Sequence, residues 1–204
     1  MRWVDNFAER HGSFDPERGP EGLMLRAADG ATALLMPPPG APVPGSMREL
    51  VAEVLAKRRV GLLLARKANV AVGVADGAEL LTSKVDSSYV QSRTAAGGWS
   101  QHRYARRRDN QAKAAAGDAA DLAVRLLLPA AAPAAGGLAA VVTGGDRRTV
   151  DTILADPRLA ALVPLVSPRF LDVPDPKLDV LKVAATRARA VEIVVRDPTA
   201  PAGR

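Results

Sequence analysis

Residues 60–90, VGLLLARKANVAVGVADGAELLTSKVDSSYV, decide the fold. Three β-prone runs, Val60 to Leu64, Val70 to Val74 and Leu80 to Val90, are separated by Arg66-Lys67-Ala68-Asn69 and by the turn pair Asp76-Gly77. That spacing predicts three antiparallel strands. Downstream, the third run passes through Gln91, Arg93 and Thr94 into the loop Gly97-Gly98-Trp99-Ser100-Gln101. Residues 101–128 then follow a helical pattern rich in Ala and Leu, which Gly117 is expected to bend or interrupt. After an Ala/Pro/Gly linker over 129–137, Leu138 to Val142 reads as a buried strand ending in Thr143-Gly144-Gly145-Asp146. Asp146 is placed to cap a helix running through Leu154. A short apolar segment from Leu159 to Leu165, a short strand from Phe170 to Val173, and a helix carrying Leu178, Leu181 and Val183 with Pro176 in its first turn follow. Val191 to Val195 predicts the last strand. Strands that alternate with helices in this way specify an α/β fold.

Upstream of residue 60 the pattern is different. Trp3, Val4, Phe7 and Ala8 fall at helical spacing before Gly12 and predict a short helix that docks through its aromatic residues. Leu23-Met24-Leu25 and Ala33-Leu34-Leu35 flank Asp29-Gly30, the signature of a hairpin. Pro37, Pro38, Pro39, Pro42 and Pro44 make an extended connector, and Ser46 with Glu49 three residues on opens a helix with Leu50, Val51, Val54 and Leu55 on its apolar side. The expected organisation is one domain over 1–204: an amino-terminal helix, hairpin and linker over 1–45, then an α/β core over 46–197. No internal repeat is evident.

Composition narrows the function. The 204 residues suit one globular domain, and with seven aromatics (two Trp, two Tyr, three Phe) its core must be Leu, Val and Ala. The absence of cysteine excludes a disulfide frame and thiolate metal sites, and His11 and His102 are too few for a usual zinc centre, so neither metal nor cofactor is expected. No apolar run approaches the roughly 20 residues that span a bilayer, and the amino terminus is not a signal peptide. A cytoplasmic protein with no membrane partner is expected; self-association is left open. Of the chain's net +6, five charges sit in residues 91–113, where Arg93, Arg103, Arg106, Arg107, Arg108 and Lys113 face a single acid, Asp109. Charge focused in this way fits a polyanion, and nucleic acid above all.

Within that window, Gly97, Gly98 and Gln101 form a loop that feeds a helix, leaving free backbone N–H groups and a positive dipole end in front of it. A glycine pair alone suits a plain strand-to-helix connection; the adjacent arginines favour phosphate. Glutamine takes no proton at neutral pH, so the catalytic use of Gln101 is to orient a water by its amide. Arg103, Arg106 and Arg107, at i, i+3 and i+4, set a row of guanidiniums along one helix side that matches a ribose-phosphate backbone. Gly144-Gly145-Asp146 lacks the spacings of the dinucleotide and P-loop glycine motifs and reads as a capped strand-to-helix turn. Asp76, Asp86 and Asp109 show no pairing suited to magnesium, which places a nuclease last among the readings.

The segment Gln91-Ser92-Arg93-Thr94-Ala95-Ala96-Gly97-Gly98-Trp99-Ser100-Gln101, followed by Arg103-Tyr104-Ala105-Arg106-Arg107-Arg108, resembles the catalytic loop and following helix of the Vms-like release factors, most closely their actinobacterial branch. That family is similar in turn to the middle domain of archaeal and eukaryotic class I release factors. The likeness is strongest over 91–111; weaker echoes at Asp29-Gly30, in the strands from Val60 and at Gly144-Gly145-Asp146 extend it across most of the chain. It implies an RNase H-like mixed sheet flanked by helices. It also implies a ribosome-dependent peptidyl-tRNA hydrolase that frees nascent chains from stalled large ribosomal subunits in ribosome-associated quality control. Gln101 then holds the position of the catalytic glutamine, Gly98 matches the glycine of a Gly-x-x-Gln spacing with Gly97 beside it, and the arginines grip transfer or ribosomal RNA. Two residues depart from the pattern: Trp99 and Ser100 separate the glycines from Gln101, and Ser92 stands where glycine is expected. The chain has no room for a codon-reading domain, so release is expected to be independent of the stop codon, and it lacks the cysteines of the zinc finger in eukaryotic relatives. The rival expectation is a noncatalytic RNA-binding or ribosome-docking module that uses the same basic helix.

Overall fold

The computed structural model describes residues 2–66, 69–87 and 100–197; over 100–112 it describes the backbone. The chain forms two compact units, Met1–Ala56 with Arg189–Arg204, and Lys57–Ala188.

In the first unit, helix α1 (Arg2–His11) precedes strands β1 (Phe14–Arg18), β2 (Leu23–Ala27) and β3 (Thr32–Met36) and helix α2 (Met47–Leu55). The sheet is antiparallel, in the order β1-β2-β3-β9, where β9 is Glu192–Arg196. The aromatic docking predicted for α1 is present. Trp3 stacks on Phe7 at 5.4 Å, and Phe7 is buried among Leu23, Leu25, Leu35 and Leu50. The hairpin turn is where the sequence puts it: Gly30 has φ 92°, and Asp29 accepts from the Ala31 N–H at 2.9 Å. The other carboxylate oxygen of Asp29 meets His11 Nδ1 at 2.8 Å and ties the end of α1 to the turn. Ser46 caps α2 by accepting from the Glu49 N–H at 3.2 Å. The reciprocal bond reaches one residue further back than in a standard capping box, from the Gly45 N–H to Glu49 Oε2 at 2.7 Å.

Three features of this unit differ from the pattern reading. Strand β1 was not foreseen, because Phe14-Asp15-Pro16-Glu17-Arg18 carries a proline and no alternation; an edge strand tolerates both, since one of its sides needs no ladder bonds. Helix α2, grouped by sequence with the α/β core, packs Met47, Leu50 and Val54 into the first unit's apolar cluster. The last strand also joins this unit, pairing β9 with β3 in the register Leu34↔Val194.

The second unit holds β4 (Arg59–Arg66), β5 (Asn69–Asp76), β6 (Glu79–Ser87), α3 (Ser100–Ala131), β7 (Ala140–Gly145), α4 (Arg147–Leu154), β8 (Val166–Leu171) and α5 (Leu178–Ala188). Its sheet order is β6-β5-β4-β7-β8. β4, β5 and β6 form the antiparallel meander that residues 60–90 predict, and β7 and β8 add parallel strands on the other side of β4. This is a mixed α/β sheet of the RNase H-like kind. Every residue of β4 from Val60 to Ala65 is buried, because both faces are covered. On one face α3, α4 and the 3-10 segment Pro157–Leu165 build a core around Leu63, Val72, Leu122, Leu127 and Ile153. On the other, α5 closes over Leu62, Leu64 and Val142 through Leu181 and Ala184.

Helix α3 runs unbroken through Gly117, and it continues through Pro129 to Ala131, where the sequence suggested a linker from residue 129. A Cβ at position 117 would meet nothing within 4 Å, so the glycine leaves no packing defect, and Pro129 in the last turn removes one backbone bond. Pro176 lies just outside its helix: Lys177 accepts the first α5 bond, from the Leu181 N–H at 2.9 Å. A charged clamp fastens the 3-10 segment to α3. Arg158 donates to Asp156 through Nε at 2.9 Å and Nη2 at 2.7 Å, and to Asp121 of α3 through Nη1 at 2.6 Å. The Arg158 side chain and backbone N–H hold the Asp156 carboxyl down to about 2. A carboxyl depressed on folding stabilises above its unfolded value of 3.8, and that contribution disappears as pH falls from about 4 to about 2. Asp156→Asn is therefore expected to flatten the fall in thermal midpoint between pH 4 and pH 2, measured against the wild type by thermal melts; parallel curves would mean the clamp does not couple to folding.

Candidate functional site

The sheet's topology sets where the loop and the basic helix begin. β6 runs parallel to β4, so its last residue, Ser87, lies at the carboxyl end of the sheet, in register with Asn69 and through it with Arg66. Arg93, Gly97 and Gly98 lie outside the described residues, as does the rest of 88–99. Helix α3 starts with Ser100, which puts Gln101 in its first turn; the side chains of Gln101, His102, Arg103, Tyr104, Arg106, Arg107 and Arg108 are outside the described residues. The first turn holds no acidic residue to offset the positive end of the helix dipole.

The far end of α3 is anchored at the amino end of β4, where Arg59 donates to the Ala135 carbonyl and the Ala139 N–H donates to the Arg59 carbonyl at 2.9 Å. The eight residues of β4 rise about 23 Å, a height that α3 covers in about 16 residues. Counted back from Ala131, that reaches Ala116, the earliest described α3 side chain packed against the core. Residues 100–115 add about 24 Å of helix before it. The side chains of Lys113 and Ala114 are exposed, and among the described α3 side chains full burial begins at Ala119.

At 100° per residue, Arg103, Arg106 and Arg107 share one stripe of α3 with Asn110, Ala114 and Gly117. The buried stripe of Ala119, Leu122, Ala123 and Leu127 runs along the opposite side. Gln101 falls roughly 160° around the helix from Arg103, in line with the buried stripe, and Arg108 lies on that side as well. Position 101 and positions 103, 106 and 107 thus fall on opposite sides of the helix backbone.

The remaining candidates have structural roles. Gly145 has φ 100°, and a Cβ there would come within 2.2 Å of the Ala65 carbonyl oxygen; at Gly144 it would come within 2.6 Å of the Leu171 carbonyl oxygen. Both glycines serve close strand approach. Asp146 caps α4 as predicted, accepting from the Thr149 N–H at 2.8 Å and the Thr149 hydroxyl at 2.7 Å, and those bonds hold its carboxyl below the usual range. Asp76 pairs with Arg59 at one end of the sheet and Asp86 lies near the other, next to the register Asn69↔Ser87, so the two do not share a site.

Sequence reasoning missed an open cleft of about 740 Å³ at the carboxyl end of the sheet, lined among others by Arg66, Asn69, Asp172, Asp175, Lys177 and Asp179. Arg66 spans it, donating from Nη1 to the Val173 carbonyl at 2.8 Å. Its residues come from β4, β5 and the β8–α5 connection, and no local motif unites them. Asn69 on its wall pairs with Ser87, the last residue of β6.

The family model for the Actinobacteria/chloroflexi VLRF1 release factor matches residues 58–194, from the start of β4 into β9. No curated protein matches. Among solved structures the chain is similar to the crystal structure of an archaeal translation termination factor, aRF1, at 21% identity and a TM-score of 0.43, covering 64% of this chain and 34% of that one. It is also similar to a structure described as an archaeal protein, at 17% identity and a TM-score of 0.43, covering 78% of this chain and 48% of the other. The chain thus spans less than half the length of either. No described helix is long and apolar enough to cross a membrane.

Proposed function

We propose, from the premise that this chain belongs to the Actinobacteria/chloroflexi VLRF1 release-factor family, that it hydrolyses the peptidyl-tRNA ester on stalled large ribosomal subunits, in the cytoplasm and without reading a stop codon. Water adds to the ester carbonyl carbon, the bond to the terminal ribose oxygen breaks, and a free peptide acid and an intact deacylated transfer RNA leave. Gln101 orients that water. Gly97 and Gly98 give the loop the clearance to approach the ester, and Arg103, Arg106 and Arg107, with Arg93, Arg108 and Lys113 around them, hold phosphates of transfer or ribosomal RNA. The ribosome completes the site.

The observation that carries this reading is the position of Gln101 in the first turn of a helix whose first 16 residues, about 24 Å, precede Ala116, the first described side chain of that helix packed on the core. A catalytic group meant for a cavity in another particle has to be carried clear of its own core. The test is to incubate the chain with large subunits bearing peptidyl-tRNA and to resolve the products on a gel. Freed peptide with intact transfer RNA is the expected result. Subunit binding without release would leave a docking module, and cut phosphodiesters would indicate a nuclease.

The arginine row makes a separate prediction. Arg103→Gln with Arg107→Gln should weaken subunit binding and flatten its salt dependence by about one unit of log–log slope for each phosphate no longer neutralised. Binding titrations at several salt concentrations measure this, and an unchanged slope removes those two residues from the interface.

A further inference from the structure

Outside the amino-terminal arm of α3, residues 100–115, one cation of the second unit is held in a distinctive way. Arg147, the first residue of α4, is exposed, yet its guanidinium carbon lies over the Phe170 ring of β8, 4.2 Å from the centroid. Phe170 is partly buried and packs against the core, so the ring is fixed and holds the guanidinium in place. Among the described residues neither Arg147 nor the exposed Arg148 makes an ion pair. Asp146 beside them spends its carboxylate on the Thr149 N–H and hydroxyl, and Arg148 acts on it only through space; Asp151, the other acid of α4, is exposed a turn further on. Helix α4 opens where β7 ends, at the carboxyl end of the sheet, the end at which Ser87 closes β6. It lies on the same sheet face as α3, since Val150 and Ile153 share one cluster with Ala119, Leu122 and Leu127.

We propose, resting on the encounter with RNA inferred above, that the outer face of the Arg147 guanidinium is a stacking platform for an unpaired base, with Arg148 beside it to meet the adjoining phosphate. A guanidinium with one face on an aromatic ring offers the other as a flat, charged surface, and a base completes a three-layer stack. Because Phe170 already restrains the side chain, little rotamer freedom is left to lose on binding. A carboxylate would instead be taken at the edge of the guanidinium fork and would gain nothing from the ring. The base is an unpaired one, since a duplex keeps its base faces stacked on one another.

Two short single-stranded RNAs of equal length, an oligoadenosine and a strand of abasic ribose phosphates, separate stacking from phosphate binding when titrated against the full chain by fluorescence anisotropy. The wild type is expected to bind the oligoadenosine at least about five-fold more tightly, the lower end of what one stacked base contributes. Arg147→Lys keeps the charge and loses the plane, so it should hold the abasic strand as the wild type does, with the same salt slope, and lose most of that preference. Phe170→Leu keeps an apolar side chain against the core and should also lower the preference, because the guanidinium is no longer held; circular dichroism checks the fold of both variants. Equal affinity of the wild type for the two strands, or an undiminished preference in Arg147→Lys, would overturn the platform. Peptide release from large subunits is measured separately: release without the preference removes only the platform, and the preference without release removes only the catalytic reading.

Discussion

Gln101→Ala is expected to lower peptide release from stalled large subunits by at least about 10²-fold, the cost of losing one well-placed hydrogen-bonding group from a reaction centre. Subunit binding should stay near wild type. The two effects separate because position 101 falls roughly 160° around α3 from position 103, so the substitution leaves the stripe of positions 103, 106 and 107 unchanged. Alanine is also the better helix former, so the first turn of α3 survives the change. Gln101→Glu sharpens the assignment, since a carboxylate keeps the acceptor and loses the donor while adding charge at the positive end of the helix. It should release poorly as well if water must be held through both amide atoms. Release by Gln101→Ala at the wild-type rate, on subunits it binds normally, would end the catalytic assignment, and the arginine row would then describe a docking protein.

What the sequence revealed and what it hid divide by range. Strands β4 and β5 were legible because each is a near-continuous apolar run, β6 because its β-prone residues follow the Asp76-Gly77 turn, and the caps at Ser46 and Asp146 because a capping side chain reaches only three residues. Strand β1 was not, since Pro16 and its charged neighbours fit an edge and nothing else. The partners of α2 and β9 were also out of reach: β9 pairs with β3 across more than 150 residues of chain, and nothing in Glu192–Arg196 names that strand. The cleft was hidden for the same reason, because Arg66 and Val173 meet across 107 positions. At the candidate site, sequence supplied the residue types and their helical spacing. The reach of the arm required the structure, because it depends on where α3 leaves the core.

Gly145→Ala is expected to destabilise the second unit by about 3–5 kcal/mol, combining a strained positive φ with a steric clash. The methyl group would sit 2.2 Å from the Ala65 carbonyl oxygen, and that oxygen accepts the Asp146 N–H at 2.7 Å, so moving it away also opens the turn into α4. Backbone cannot yield as a side-chain tip can. Denaturant unfolding followed by circular dichroism measures the loss, with Gly117→Ala as the control: it meets nothing within 4 Å inside a helix and should be neutral or stabilising by up to about 1 kcal/mol. The comparison bears on function because a Gly-Gly-Asp turn after a parallel strand invites a phosphate-cradle reading. If the glycines existed for a ligand, Gly145→Ala would fold like the wild type and lose binding alone. If they exist so that β7 can lie between β4 and β8, the variant loses stability whether or not any nucleotide is present.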